Sequence, residues 1–189
     1  MLLRFLILFS SLSPCIFSLN KLSEAYLVSY GEPNAPMKIV EYFSFQCPHC
    51  LSLFRKDFKK IKEAFIDSKK VYWVFHPIPT DIVTVQGMVC MATLNNHEKK
   101  LYLETLLEEA EANNPQLNSK IMLKVMEIFK KPIPKLLDED FLQETDAFSD
   151  AFSFLTQEEK VVAVPTIEVN LKLFQDEVPD FEFVNSIVE

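Results

Sequence analysis

The chain has 189 residues, 49% of them hydrophobic, with only 2 glycines against 11 prolines, and 19 basic against 27 acidic side chains for a formal net charge of -8. That length suits one domain built around a single core. So few glycines argue against a β-sandwich of many tight hairpins, and the acidic balance argues against nucleic acid or anionic membrane surfaces as partners.

Met1 to Ser18 carries one charge, Arg4, followed by an uncharged apolar run through Phe17. This is the n-region and h-region of a secretory signal peptide, so export to the periplasm or another extracytoplasmic compartment is expected. The run is shorter than the roughly 20 residues that span a bilayer and is interrupted by Ser10, Ser11, Ser13 and Pro14; a retained anchor is the alternative. Cleavage after Ser18 removes Arg4 and Cys15. The mature chain then has 18 basic against 27 acidic side chains, a net -9, and keeps Cys47, Cys50 and Cys90. One close pair and one leftover is not the framework of a disulfide-stapled mini-protein.

Tyr26 to Tyr30 alternates weakly as an edge strand and ends in a Gly31 to Pro36 turn. Ile39 to Phe45 is almost continuously apolar, broken only by Glu41 and Ser44, and reads as a central strand covered on both faces. From Pro48, the apolar positions Leu51, Phe54, Phe58, Ile61 and Phe65 recur at steps of three and four. They predict a helix to about Phe65, with Arg55 and the lysines on a solvated face. Val71 to Phe75 is a second buried strand, stopped by Pro77 and Pro79. Strand, helix and strand make a βαβ unit with a parallel pair.

Residues 81–160 show helical periodicity alone, over Thr84–Leu94, Glu98–Ala112 and Ser119–Lys131. A last helix carries Phe141, Thr145, Phe148, Phe152 and Leu155 on one stripe, capped by Asp138 or Asp140. Strand character returns at Val161–Val164, Thr166–Val169 and Leu171–Phe174, and Asp180–Val188 closes the chain as a short helix. The layout is an α/β chain in four parts: 1–18 signal peptide, 19–80 first part of the fold, 81–160 all-helical insert, 161–189 second part.

Cys47-Pro48-His49-Cys50 lies at the seam between the central strand and the first helix. A CxxC pair serves metals, haem and redox chemistry alike. Covalent haem attachment needs a histidine after the second cysteine, where Leu51 stands, and structural zinc needs four ligands, for which no second CxxC or HxxxH exists. Redox chemistry gains from the placement. With Cys47 at the N-cap, Pro48 takes the first helical position, where its missing N–H costs nothing. The Cys47 sulfur then faces the free N–H groups of His49 and Cys50 at the positive end of the helix, which favours a thiolate. His49 adds a donor, or a positive charge when protonated. Cys90, in an apolar helix, reads as an inert buried thiol, and His76 and His97 read as structural or solvated.

The run Tyr42 to Cys50 resembles the active-site stretch of the DsbA-like thiol:disulfide oxidoreductases, exported proteins of thioredoxin-like fold: a mixed central sheet with flanking helices and an all-helical insert. Val164-Pro165-Thr166 resembles that family's cis-proline loop. The resemblance implies that Cys47 is the nucleophile and Cys50 its partner. It also implies that a cis Pro165 faces the dithiol and leaves the Val164 backbone free to pair with an extended substrate. Glu41, six residues before Cys47, matches the buried acid that many relatives hold under the site, an implied proton relay; the lysine that often accompanies it is absent from Val71–Phe75.

The chemistry so implied is donation of the Cys47–Cys50 disulfide to reduced exported proteins by thiol-disulfide exchange, with no metal and no cofactor, in a monomer re-oxidised by a membrane quinone-linked partner. Two alternatives stay open: a reductase or isomerase of the same fold, and a holdase that binds unfolded exported proteins.

Overall fold

The structure is a computed structural model describing residues 22–132, 134–157, 161, 163–175 and 179–188; the signal peptide expected over 1–18 lies outside the described residues. Five strands form one mixed sheet in the order β1-β3-β2-β4-β5, with β1 Val28–Tyr30, β2 Met37–Phe43, β3 Val71–Pro77, β4 Thr166–Val169 and β5 Lys172–Phe174. The two central strands, β2 and β3, are parallel, while β1, β4 and β5 join antiparallel. This is the thioredoxin-like arrangement read from the sequence.

Strand alternation sorts the core. One face carries Ile39, Glu41, Phe43, Trp73, Phe75 and Ile167; the other carries Val40, Tyr42, Val74, His76, Thr166 and Glu168. The first face is covered by helix α1, which begins as α-helix at Pro48–Leu53 and continues through wider turns at Phe54–Phe58 and Lys62–Ile66. Phe54 and Phe58 pack edge-on against Phe75, and Phe58 does the same against Trp73. Burying such aromatic side chains stabilises the fold by roughly 1.5–3 kcal/mol each. The helical insert between β3 and β4 contains α2 Ile82–Met91, α3 Asn96–Glu109, α4 Pro115–Ile128, α5 Glu139–Gln143 and α6 Asp146–Gln157. Helix α7, Phe181–Val188, stacks Phe181 on Phe65 of α1.

Several sequence expectations need correction. Strand β2 ends at Phe43 rather than Phe45, because hydrogen bonds to the insert draw Ser44–Gln46 out of the ladder. Strand β3 runs through Pro77 instead of stopping before it. Pro77 lies beyond the last residue paired with β1, so its missing N–H breaks no ladder bond. The single last helix is two: Asp138 caps α5, and the Thr145 hydroxyl accepts the Phe148 N–H to start α6 afresh. The restart rotates the buried stripe to Ala147, Ala151 and Phe154, leaving Phe152 and Leu155 exposed. Val161, Ala163 and Val164 form loop, not strand; the Ala163 carbonyl accepts from the Thr166 hydroxyl rather than from a neighbouring strand. Arg55 is not an idle surface cation. Its guanidinium donates to the Leu107 carbonyl at 2.8 Å and to that of Ala110, satisfying the C-terminal end of α3.

Both glycines have a steric reason. Gly31, at φ 89°, turns β1 toward β2 where a Cβ would fall 2.6 Å from the Val71 carbonyl oxygen. Gly87 of α2 leaves space for the Phe45 ring, which a Cβ would meet at 2.5 Å.

Candidate active site

The chain leaves β2 at Phe43, crosses Ser44–Gln46 and enters α1 with Cys47 as N-cap in extended conformation and Pro48 at the first helical position. Cys50 donates its backbone N–H to the Cys47 sulfur at 3.2 Å. Cys47 is 8% exposed and Cys50 1%, while Pro48 and His49 are exposed. Of the two cysteines, Cys47 keeps the greater residual exposure and lies beside the exposed Pro48 and His49.

Electrostatics separates the two thiols. Cys47 is pulled down to about 6, first by the hydrogen bond from the Cys50 thiol and then by the backbone N–H groups of Cys50 and His49 and the charge of His49, against the opposing effect of burial. Cys50 is driven far above the ordinary thiol range by burial, by the negative Cys47 beside it and by Glu41. At neutral pH the pair thus holds one thiolate, on Cys47, and one proton, on Cys50.

Val164 faces this thiolate from the opposite side. The Cys47 sulfur lies 3.5 Å from the Val164 carbonyl oxygen, the Val164–Pro165 peptide is cis, and Thr166 behind it is fully buried as the first residue of β4. The antiparallel pairing of β4 with β2 brings this loop to the dithiol across more than a hundred residues of sequence.

Glu41 sits under the site on the same face of β2 as Phe43 and is 1% exposed. Its carboxylate accepts the Trp73 indole N–H at 3.2 Å. Burial pushes its pKa up to about 8; the Trp73 bond pulls it back, and the negative Cys47 pushes it further up. At neutral pH Glu41 is therefore mostly a neutral acid, charge-coupled to Cys47. Sequence reasoning found Glu41 but not Trp73, whose place opposite it follows from the β2–β3 register. It also missed Asp81, Thr84 and Asn118 of the insert, which hold the loop before Cys47. An aspartate directly before an apolar helical run was the available signal for the first of these.

Cys90 is fully enclosed in α2 beside Tyr102, and burial pushes its thiol up to about 12. His76 is also fully buried, its Nε2 accepting the Leu22 N–H at 3.2 Å, and His97 is exposed near the start of α3. Among the described residues no three metal-ligating side chains converge.

An activated cysteine at a helix start, a buried partner thiol and a facing cis-proline loop on a five-stranded mixed sheet define a thiol:disulfide oxidoreductase of DsbA-like architecture. The chain belongs to the family described as thioredoxin, whose family model matches residues 23–189. Over 173 residues it is 24% identical to a probable disulfide bond formation protein D of Bacillus anthracis, covering 85% of this chain and 76% of that protein. The corresponding protein of Bacillus cereus is 23% identical over 171 residues, with the same coverage. Among solved structures, oxidised BdbD from Bacillus subtilis matches with a TM-score of 0.70 at 22% identity, over 89% of this chain and 94% of that one. Wolbachia pipientis alpha-DsbA1 matches with a TM-score of 0.66 at 18% identity, over 90% and 94%.

Proposed function

We propose that this chain is an exported disulfide oxidase, which donates the Cys47–Cys50 disulfide to reduced proteins folding outside the cytoplasm. The observation that carries the reading is the inequality of the two thiols. A reduced form stabilised as a Cys47 thiolate makes the oxidised form a good electron acceptor, and it makes Cys47 a good leaving group. A substrate thiolate attacks the Cys47 sulfur of the disulfide, releasing the Cys50 thiolate, which takes a proton; Glu41, buried, raised to about 8 and charge-coupled to Cys50, is the proposed source. A second substrate thiolate then attacks the substrate sulfur of the mixed disulfide and expels Cys47 as thiolate. The substrate leaves with a disulfide, and the protein leaves with two reduced cysteines.

Extended substrate backbone fits beside Val164, where the loop offers main-chain groups rather than a paired strand. Turnover needs a re-oxidant, for which a membrane quinone-linked partner is the counterpart implied by the family; the protein acts as a monomer. Export rests on the Arg4 to Phe17 pattern, and no described helix is long and apolar enough to cross a membrane.

Equilibration with glutathione tests the reading. A potential well above that of thioredoxin, toward the roughly -120 mV of strongly oxidising relatives, supports an oxidase; one near about -270 mV makes the chain a reductase instead. Protection of unfolded protein that survives Cys47→Ser, although disulfide transfer is lost, would favour the holdase alternative. N-terminal sequencing of the protein recovered from the cell envelope tests export, and a chain still beginning at Met1 would refute cleavage.

A further inference from the structure

The loop that delivers Cys47 to its helix is held by the insert, and one carboxylate sets the polarity of that hold. Asp81, the N-cap of α2, accepts three hydrogen bonds: the Thr84 N–H on Oδ1 at 2.8 Å, and on Oδ2 the hydroxyls of Ser44 at 2.6 Å and Thr84 at 2.9 Å. Ser44 and Thr84 are both buried. A carboxylate only accepts, so the Ser44 hydroxyl proton points at Asp81, and the Thr84 proton favours it too, at 2.9 Å against 3.3 Å to its other acceptor, the Ser44 oxygen. That leaves the lone pairs of both hydroxyls for the active-site loop. The Ser44 oxygen accepts the Gln46 N–H at 3.0 Å and the Thr84 oxygen accepts the Phe45 N–H at 3.3 Å. Asn118 of α4 completes the hold by donating to the Phe45 carbonyl at 3.5 Å.

We propose that Asp81 is a positioning residue for the dithiol: by fixing the direction of the Ser44 and Thr84 hydroxyls it anchors Phe45 and Gln46, and so sets Cys47 at the helix start. The inference rests on the reading of that site as one of thiol-disulfide exchange. The loop has no place in the sheet ladder, so these side-chain bonds are what hold its N–H groups. Its last residue must keep a sulfur within hydrogen-bond reach of the Cys50 N–H, and a shift of a few tenths of an ångström weakens that contact.

The requirement is for a carboxylate and not merely for a polar cap. In Asp81→Asn one of the two acceptor positions becomes an NH2 donor. Either it faces the Thr84 N–H, or it faces two hydroxyl protons; no rotation of the amide satisfies all three bonds. Thr84→Val is nearly isosteric, keeps the α2 cap and leaves the Phe45 N–H unpaired. Thr84→Ser keeps the hydroxyl.

The test follows the ultraviolet absorbance of the Cys47 thiolate against pH, together with the equilibrium constant with glutathione, in these variants of the full mature chain. Losing one such bond corresponds to about fivefold in equilibrium. Asp81→Asn and Thr84→Val should raise the thiolate midpoint and shift the glutathione equilibrium about fivefold or more toward a less oxidising protein, while Thr84→Ser holds the parent values. Folded Asp81→Asn and Thr84→Val proteins with parental titration and equilibrium would overturn the proposal, as would an equal loss in Thr84→Ser. Thr84→Val carries the test if Asp81→Asn does not fold. Should the parent itself equilibrate as a reductase, the oxidase reading fails while the shift between variant and parent still decides the role of Asp81.

Discussion

The Cys50 backbone nitrogen lies 3.2 Å from the Cys47 sulfur, so the residue that shields its own thiol also stabilises its partner's charge. Cys47 should therefore be alkylated by iodoacetamide with a rate that rises through a midpoint near pH 6 and then levels, while Cys50 stays unmodified in the folded protein. Peptide mapping after timed alkylation checks both halves. A midpoint in the ordinary range near 8.5 would remove the thiolate on which the proposed chemistry depends.

Stability should depend on pH differently in the two redox forms. Glu41 is raised from 4.5 to about 8 in the fold, so between those values the folded state keeps a proton that the unfolded chain has lost. Its contribution is complete below about 4.5 and falls as pH rises toward 8, by at most about 1.4 kcal/mol per unit. Cys47 is lowered from 9.0 to about 6, so in the reduced protein stability rises with pH between those values. The trends oppose each other from about 6 to 8 and the reduced curve flattens there; in the oxidised protein, where Cys47 does not titrate, nothing from Cys47 offsets the fall due to Glu41. Urea denaturation of both forms measures this, and Glu41→Gln should abolish the fall in each. A fall that persists in Glu41→Gln would locate the responsible proton elsewhere.

Gly87→Ala should destabilise the protein although alanine is the better helix former. The helix gains about 1 kcal/mol, but the new methyl meets the Phe45 ring at 2.5 Å, and overpacking of this kind costs about 1–3 kcal/mol. Because Phe45 is in the loop before Cys47, exchange activity should drop as well. Stability equal to or above the parent would show that the ring moves aside freely.

Cys90→Ala should keep full dithiol turnover. Its thiol is enclosed and held protonated, so it neither attacks nor leaves, and its removal costs only packing, about 1 kcal/mol. Lost turnover in a folded Cys90→Ala protein would make it a third redox thiol.

Leu171→Gly should stabilise. Asn170 and Leu171 form the two-residue turn between β4 and β5 with φ of 47° and 74°, a geometry that favours Asn-Gly, and Leu171 is 67% exposed with little packing to lose. Relief of the left-handed strain is worth about 1 kcal/mol, read as a rise in thermal midpoint.

Much of this was legible because periodicity and helix-start chemistry act locally. The apolar steps from Leu51 to Phe65 specified α1, and Pro48 located its start, so the Cys47 geometry could be read from nine residues. The cis-proline loop came from resemblance alone, since nothing in the composition of Val164–Thr166 distinguishes it. Tertiary pairings stayed hidden. Trp73 meets Glu41 only once the β2–β3 register exists, and Asp81 meets Ser44 only once the insert folds back. The stripe through Phe152 and Leu155 misled because a threonine hydroxyl, Thr145, restarts the helix and resets its phase. A period measured across that restart mixes two helices.

Trp73 is the chain's single tryptophan, fully buried with its indole N–H on the Glu41 carboxylate. Indole emission responds to charge nearby, and here no second indole dilutes the signal. The protein thus carries its own label-free optical gauge. A change in the proton held by Glu41 should therefore alter the colour and yield of one fluorophore, readable in unmodified protein.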